Sequence, residues 1–412
     1  MRISTVQAFN NGVSGLQNNY GNMTRTQEEI STGKKILTPA DDPVASVKLL
    51  QISQEEALNS QYKTGMTAAK NSLSSSDVIL SSITGNVLQR IKEITVQAGN
   101  GALNSDDRKS LATELKQRED ELLNLLNSKD ANGKYLFSGS MGDTQPFIRN
   151  ADGSYSYQGD EGQRNVQIAS GTFVPVSDSG KAIFEGVQNV NRVSTSQSTL
   201  INSTARISTG LVVDKAAYDK QFPSAGNQTF SIVFTSAQAY EIRDASNAVL
   251  TSGAVDTDSD TTDVITFGGI EMRIDGTPKV NDSFAVSTRR DAESTSLLNV
   301  VGDLRKVLEG TADTPEGSKV VRDQTAIALK NLDNVSAQVL SAQGKIGARL
   351  NTIDSTESFI DDVSLVNKSV SSELQDLDYP EALSRMALQS TIMQAAQQSY
   401  VKISGLSLFN YL

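Results

Sequence analysis

Asp256, Asp258, Asp260 and Asp263 form the run in this chain with the clearest chemical potential. Alternating carboxylates are how calcium loops present oxygen ligands. A helix–loop–helix calcium site, however, requires glycine where Thr261 stands and a bidentate glutamate where Phe267 stands. The run reads first as a solvated β-connection and second as a weak calcium site. Glu28–Glu29 and Glu55–Glu56 lie on long helical runs with nothing adjacent to bury them, so they read as solvated faces. Gly33–Lys34 does not make a phosphate loop, which would need glycine at Glu28 and serine or threonine at Lys35. The chain has no cysteine, histidine or tryptophan. Thiol chemistry, Ser-His-Asp triads and histidine zinc sites are excluded. Carboxylate or lysine chemistry stays open in principle, but no constellation asks for it. The expectation is a non-enzyme with no catalytic residue, no metal and no cofactor.

With no chemistry to position, the elements themselves become the subject. The 412 residues are 37% hydrophobic and only 5% aromatic, which suits long paired helices better than one thick core. A net charge of -11 argues against nucleic acid, because phosphate binding needs a basic stripe. No run reaches the ~18 apolar residues of a membrane span, so no membrane partner is expected. Met1–Gln7 has no apolar core of the secretory type, so no cleaved signal is expected.

The strongest pattern lies at the two ends. Val6, Val13 and Tyr20 form one heptad row, and Phe9, Leu16, Met23 and Ile30 the other. The rows share one narrow stripe of a helix, a seam that needs a partner. The comparable terminal helix runs from Tyr379 to Leu412. It carries Met386, Met393 and Tyr400, with Ala382, Ala396 and Ile403 between them and Leu388, Ile392 and Leu406 off that row. One helix covers one stripe, so the second stripe predicts contacts with further subunits. These fifteen positions, Ala382 aside, are the candidate assembly interface.

Between the ends the chain reads as a palindrome. Gly33 ends the first helix. Asp42 caps the next, and Pro43 occupies its first position. A helix is predicted over 43–98, with Met66, Leu73, Leu80, Val87 and Ile94 seven apart and Tyr62, Ala69 and Ile83 between. Ser105 is expected to cap a shorter helix carrying Leu111, Leu115, Leu122 and Leu125. From about 146 to 288 the period changes to two. Phe230, Ile232 and Phe234 alternate with polar residues, and Gly268–Gly269 predicts a hairpin with Ile265 and Phe267 opposite Ile270 and Met272. Val166, Ile168, Phe284 and Val286 look like edge or closing strands, and 182–191 like a short helix or loop. Helix returns over about 292–308 and again over 318–377, with Leu332, Val339, Ile346, Ile353 and Ile360 seven apart. Pro380, preceded by Asp378 as a cap, restarts the chain for the last helix. The expected class is α+β, mainly α, with long antiparallel coiled-coil rods made from both halves and an inserted β-rich domain at the tip. The expected divisions are 1–35 with 380–412, 36–145 with 290–379, and 146–289. A cytoplasmic coiled-coil hairpin would be similarly cysteine-free, but it would end in a helical tip where this chain turns to β.

Three segments carry a family resemblance. They are Ser31-Thr32-Gly33-Lys34-Lys35 with Pro39-Ala40-Asp41-Asp42-Pro43, then Tyr135-Leu136-Phe137-Ser138-Gly139, and the closing Ser407-Leu408-Phe409-Asn410-Tyr411-Leu412. On these, over about 1–190 and 290–412, the chain resembles the flagellin superfamily, and within it the members of the hook–filament junction. Filament flagellins are similar at Asp41–Asp42 but normally lack the Pro43 pairing, the Tyr-Leu-Phe-Ser-Gly segment and this ending. The resemblance implies a structural adaptor outside the cell, in the bacterial flagellum, exported through the flagellar type III apparatus without a cleaved signal peptide. It implies a ring of identical subunits contacting another hook-associated protein and flagellin, and a cytoplasmic export chaperone on the C-terminal helix. A filament subunit is the alternative.

Overall fold

The computed structural model describes residues 2–200, 203–223, 226–256 and 263–409. The chain forms two compact units, Met1–Gly65 with Asp354–Leu412, and Met66–Ile353. The architecture is the expected mainly helical α+β class, with helices at both ends of the chain and a β-rich centre.

The first unit holds α1 (Arg2–Thr32), the start of α2 (Pro43–Ser82), the end of α7 (Pro315–Gln375) and α8 (Tyr379–Phe409). Its helix ends follow the predicted chemistry. Gly33 takes φ +70°, and its N–H donates to the Glu29 carbonyl at 2.9 Å. Asp42 Oδ1 accepts from the N–H groups of Val44 and Ala45 at 3.0 and 2.9 Å. Asp378 accepts from Glu381 N–H at 3.2 Å, with Pro380 in the first turn of α8.

In the second unit the heptad rows face inward. Met66, Leu73, Leu80, Ile83, Val87 and Ile94 are buried, as are Leu332, Val339, Ile346 and Ile353 on α7. Gln343 donates to Asp77 and Ser81, and Lys92 pairs with Asp333 at 2.9 Å, so the two chain directions oppose. The predicted 43–98 helix is not uniform. A π-helical turn, Ile83–Leu88, separates α2 from α3 (Gln89–Ala98) and keeps Ile83, Val87 and Leu88 buried together. The cap of α4 (Ser105–Leu126) is Asn104, not Ser105. Its Oδ1 accepts from Asp106 and Asp107, and Asp107 reciprocates to the Asn104 N–H, closing a capping box. The inward face of α4 holds Ala112, Leu115, Leu122 and Leu126, and it packs on α6 (Leu297–Gly310).

The β-rich part is built on two antiparallel sheets around one core. The larger has the spatial order Val249–Ala254, Ala239–Asp244, Thr229–Phe234, Ser283–Thr288, Val193–Thr199. Phe284 and Val286 therefore lie on an inner strand, correcting the edge expectation. They pair with Ile232 and Phe230 on one side and Gln197 and Thr195 on the other. The predicted hairpin forms as expected, with Phe267 opposite Ile270, Ile265 opposite Met272, and Gly268 and Gly269 both at positive φ. Phe230, Ile232, Phe234, Ile265, Met272 and Phe284 meet in the core. The short α5 (Lys215–Gln221), capped by Asp214, adds Tyr218 and was not anticipated. The 182–191 stretch is a π-helical turn at Lys181–Glu185 followed by the strand Val187–Gln188. The Tyr-Leu-Phe-Ser-Gly segment packs beneath the sheets, with Phe137 edge-on to Phe184 at 5.4 Å and Gly139 at φ +70° against Asp160.

Candidate assembly surface

In the first unit α1 and α8 run antiparallel along each other. The Phe9 and Tyr400 rings lie 5.3 Å apart at 43°. Leu16 and Tyr20 share a groove of about 470 Å³ with Met393. Glu29 accepts from Arg385 Nη2 at 2.7 Å, and the Tyr379 hydroxyl closes over Gly33. The two terminal stripes therefore meet each other within one chain.

The pair does not cover what it carries. Met393 and Ala382 are buried, whereas Val13, Leu16, Met23, Ile30, Met386, Ala396 and Tyr400 are half-buried. Phe9, Tyr20, Leu388 and Ile392 are 43%, 61%, 61% and 44% exposed. Leu383 and Val401 are exposed beside them, and neither was singled out from sequence. Val6, Ile403 and Leu406 lie on α1 and α8, but their side chains fall outside the described ones, and Asn410–Leu412 lie outside the described residues. Two helices leave an apolar strip in water because each presents more than one face, and only the facing stripes are satisfied.

The exposed strip continues onto the long helices. Val44, Val47 and Leu50 on α2, and Phe359, Leu365 and Val366 on α7, are all exposed. Pro39, Pro43, Val47 and Leu50 line a groove of about 870 Å³ with Asn367 and Ser371. Sequence reading treated these helices as internal core throughout. The missed signal is that Val47, Leu50 and Leu365–Val366 fall outside the seven-residue rows.

Both chain directions leave helical geometry at the same level. Lys34 bridges antiparallel to Asp376, Lys35 N–H donates to the Gln375 carbonyl at 2.8 Å, and Leu377 N–H donates to the Gly33 carbonyl at 2.9 Å. Asp41 organises the connector. Its Oδ2 accepts from Leu37 and Thr38 N–H at 3.0 and 2.8 Å, and its Oδ1 meets Arg25 Nη2 at 2.6 Å. The Thr38 hydrogen bond, with Leu37 and the Arg25 charge adding to it, holds the Asp41 carboxyl below the ordinary aspartate range. A depressed folded-state value means stabilisation that is present above the unfolded value and lost as pH falls through the folded one. Acidification from about pH 5 to about pH 2 is therefore expected to shift the Leu37 and Thr38 amide resonances together, with a midpoint below that of a free aspartate. Asp41→Asn should abolish the transition; an unchanged titration in that variant would remove Asp41 as its cause.

Asp258 and Asp260 of the acidic run lie outside the described residues, and Asp263 accepts from the Asp256 N–H at 3.0 Å. Among the described residues no cluster of three or more carboxylates is placed to hold a metal ion, and no helix is long and apolar enough to cross a membrane.

Known proteins share this organisation. The family of the bacterial flagellin N-terminal helical region matches residues 3–141, and that of the C-terminal helical region matches 329–412. Flagellar hook-associated protein 3 of Salmonella typhimurium is 26% identical over 409 residues, 99% of each chain. The crystal structure of the flagellar junction protein FlgL from Legionella pneumophila is 28% identical, covers 80% of this chain and 100% of its own, and superposes with a TM-score of 0.62. That of Xanthomonas campestris FlgL is 28% identical, covers 78% of this chain and 99% of its own, with a TM-score of 0.60.

Proposed function

This chain belongs to the flagellin superfamily, and we propose that it is the structural adaptor joining a hook-associated protein to the flagellin filament of a bacterial flagellum. The observation that carries this reading is the apolar strip on the paired terminal helices. Phe9, Tyr20, Leu388 and Ile392 stay in water in the single chain, and a neighbouring copy presenting the same strip would cover them. Val6, Val13, Leu16, Met23, Ile30, Met386, Met393, Ala396, Tyr400, Ile403 and Leu406 complete the interface in this reading, some holding the pair together and others meeting neighbours. The subunits form a ring, with the terminal pair 1–35 with 380–412 as its polymerising part, 36–145 with 290–379 as the supporting helices, and 146–289 as outer bulk. The absence of histidine and cysteine fits a role without catalysis. Export without a cleaved leader, with a chaperone on the C-terminal helix, is part of the same proposal.

The alternative, a filament subunit, differs in copy number. Immunogold labelling of intact flagella is expected to give one site of label at the hook–filament boundary. Label along the whole filament would assign the chain to the filament instead.

A further inference from the structure

We infer that the aligned break between α1–α8 and α2–α7 is a hinge whose angle is set by an ion-pair latch. The inference rests on the junction reading for its purpose and on the first unit alone for its geometry. Helix stops on both chain directions at one level, at 33–42 and at 376–378. Three backbone hydrogen bonds or bridges tie the two crossings to each other: Lys34 to Asp376, Lys35 to Gln375, and Leu377 to Gly33. None of the apolar side chains beside the break is fully buried: Ile30, Ile36, Leu37, Leu374 and Leu377 are all half-exposed. Packing therefore does little to hold the terminal pair at one inclination, and a two-strand crossing resists bending weakly.

Charges bridge the gap instead. Arg25, on α1, reaches across to Asp41 at 2.6 Å and back to Glu29 at 3.4 Å. Glu29 is held from the other helix by Arg385 at 2.7 Å. Glu29 and Asp41 are about nine-tenths covered, while Arg25 and Arg385 remain about half in solvent. The anions are fixed in place and the cations are reachable by solvent and by a neighbour. A fixed anion and a competable cation make a contact that holds in the free subunit and yields when another charge arrives. Such a latch would let identical subunits present the terminal pair at different inclinations to unlike neighbours on the two sides of a junction.

The chain has no cysteine, so spin labels can be placed without background. A pair at Gln17→Cys and Ser53→Cys spans the break, and a pair at Gln17→Cys and Gln397→Cys reports on α1–α8 alone. In the otherwise unaltered full-length protein both distance distributions are expected to be narrow. Arg25→Ala is expected at least to double the width of the first while leaving the second unchanged; Arg25→Lys, which keeps the charge, should retain the narrow distribution. High salt should act like Arg25→Ala. An equally narrow spanning distance in Arg25→Ala would overturn the latch, because the backbone crossing alone would then set the angle. A broad α1–α8 distance before any substitution at Arg25 would overturn it too, because the pair would then melt rather than turn. Neither result bears on where the label falls along the flagellum, so the junction reading stands or falls separately.

Discussion

A chain lacking residues 1–32 is expected to keep its β-rich unit folded and to lose incorporation into flagella altogether. The deletion removes α1, whose partner is α8 and whose last turns hold the connector through Arg25 and Glu29. It removes none of the buried rows of the second unit, where Met66 to Ile94 face the interior with Leu332 to Ile353. Thermal unfolding of that unit should be unchanged, while filaments should fail to attach. Normal filaments on such a mutant would end the case for the terminal helices as the assembly surface. Point substitutions sharpen the test, because the structure separates two roles that the heptad pattern merges. Met393 is buried against α1, so Met393→Lys places a charge inside the pair and should damage pairing and assembly together. Leu388 is 61% exposed, so Leu388→Lys should leave the isolated chain intact. If a neighbour covers Leu388, the change costs about 1.5–3 kcal/mol at each contact, roughly ten- to hundred-fold in affinity. Competition between wild-type and Leu388→Lys chains for incorporation measures that ratio; equal incorporation would place Leu388 outside the interface.

What was legible in the sequence was what repeats. Rows seven residues apart predict an inward face, because any long helix must bury its stripe, and those rows are buried. Gly33, Asp42 and Gly268–Gly269 were legible for a local reason: their backbone conformations are set by residues within four positions. The π-helical turn at Ile83–Leu88 left no mark, since inserting a residue's worth of backbone into a helix needs no particular side chain. The inner position of Ser283–Thr288 was hidden because alternating Phe284 and Val286 look the same whether one neighbour strand is present or two. For the assembly surface the pattern pointed to the right helices. It did not show that Met393 faces the covalent partner and Leu388 the solvent, nor that the exposed strip runs on through Val47, Leu50 and Leu365. Those distinctions depend on which of several apolar faces finds a partner first.

Glu119 presents the opposite case, a residue that sequence reading passed over and whose loss should cost the fold rather than assembly. It sits on α4 among Leu115, Leu122 and Leu126, where an aliphatic side chain would suit the spacing, and it is fully buried. Its Oε2 accepts from Arg305 Nε at 2.6 Å, and its Oε1 accepts from the Tyr155 hydroxyl at 2.7 Å. Arg305 lies 186 residues away and Tyr155 lies 36 away, so no local pattern could have announced the cluster. It ties α4 to α6 and to the hairpin strand Tyr155–Tyr157 at one point. Burial, reinforced by the hydrogen bond to Glu119, pushes the Tyr155 phenol above its ordinary value, so Tyr155 stays a donor. Glu119→Ala would strand the Arg305 guanidinium, itself nine-tenths covered, and leave the phenol unpaired. Breaking one partner out of a buried ion pair costs about 3–5 kcal/mol, a large share of a domain's stability. Denaturant unfolding of the full chain should show that loss, and incorporation of the folded fraction should be unchanged. The paired replacement Glu119→Leu with Arg305→Met should recover much of it, because an apolar pair of similar size needs no charge partner. A single replacement costing less than about 1 kcal/mol would mean that water already serves Arg305 and that the cluster is not the tie between these elements.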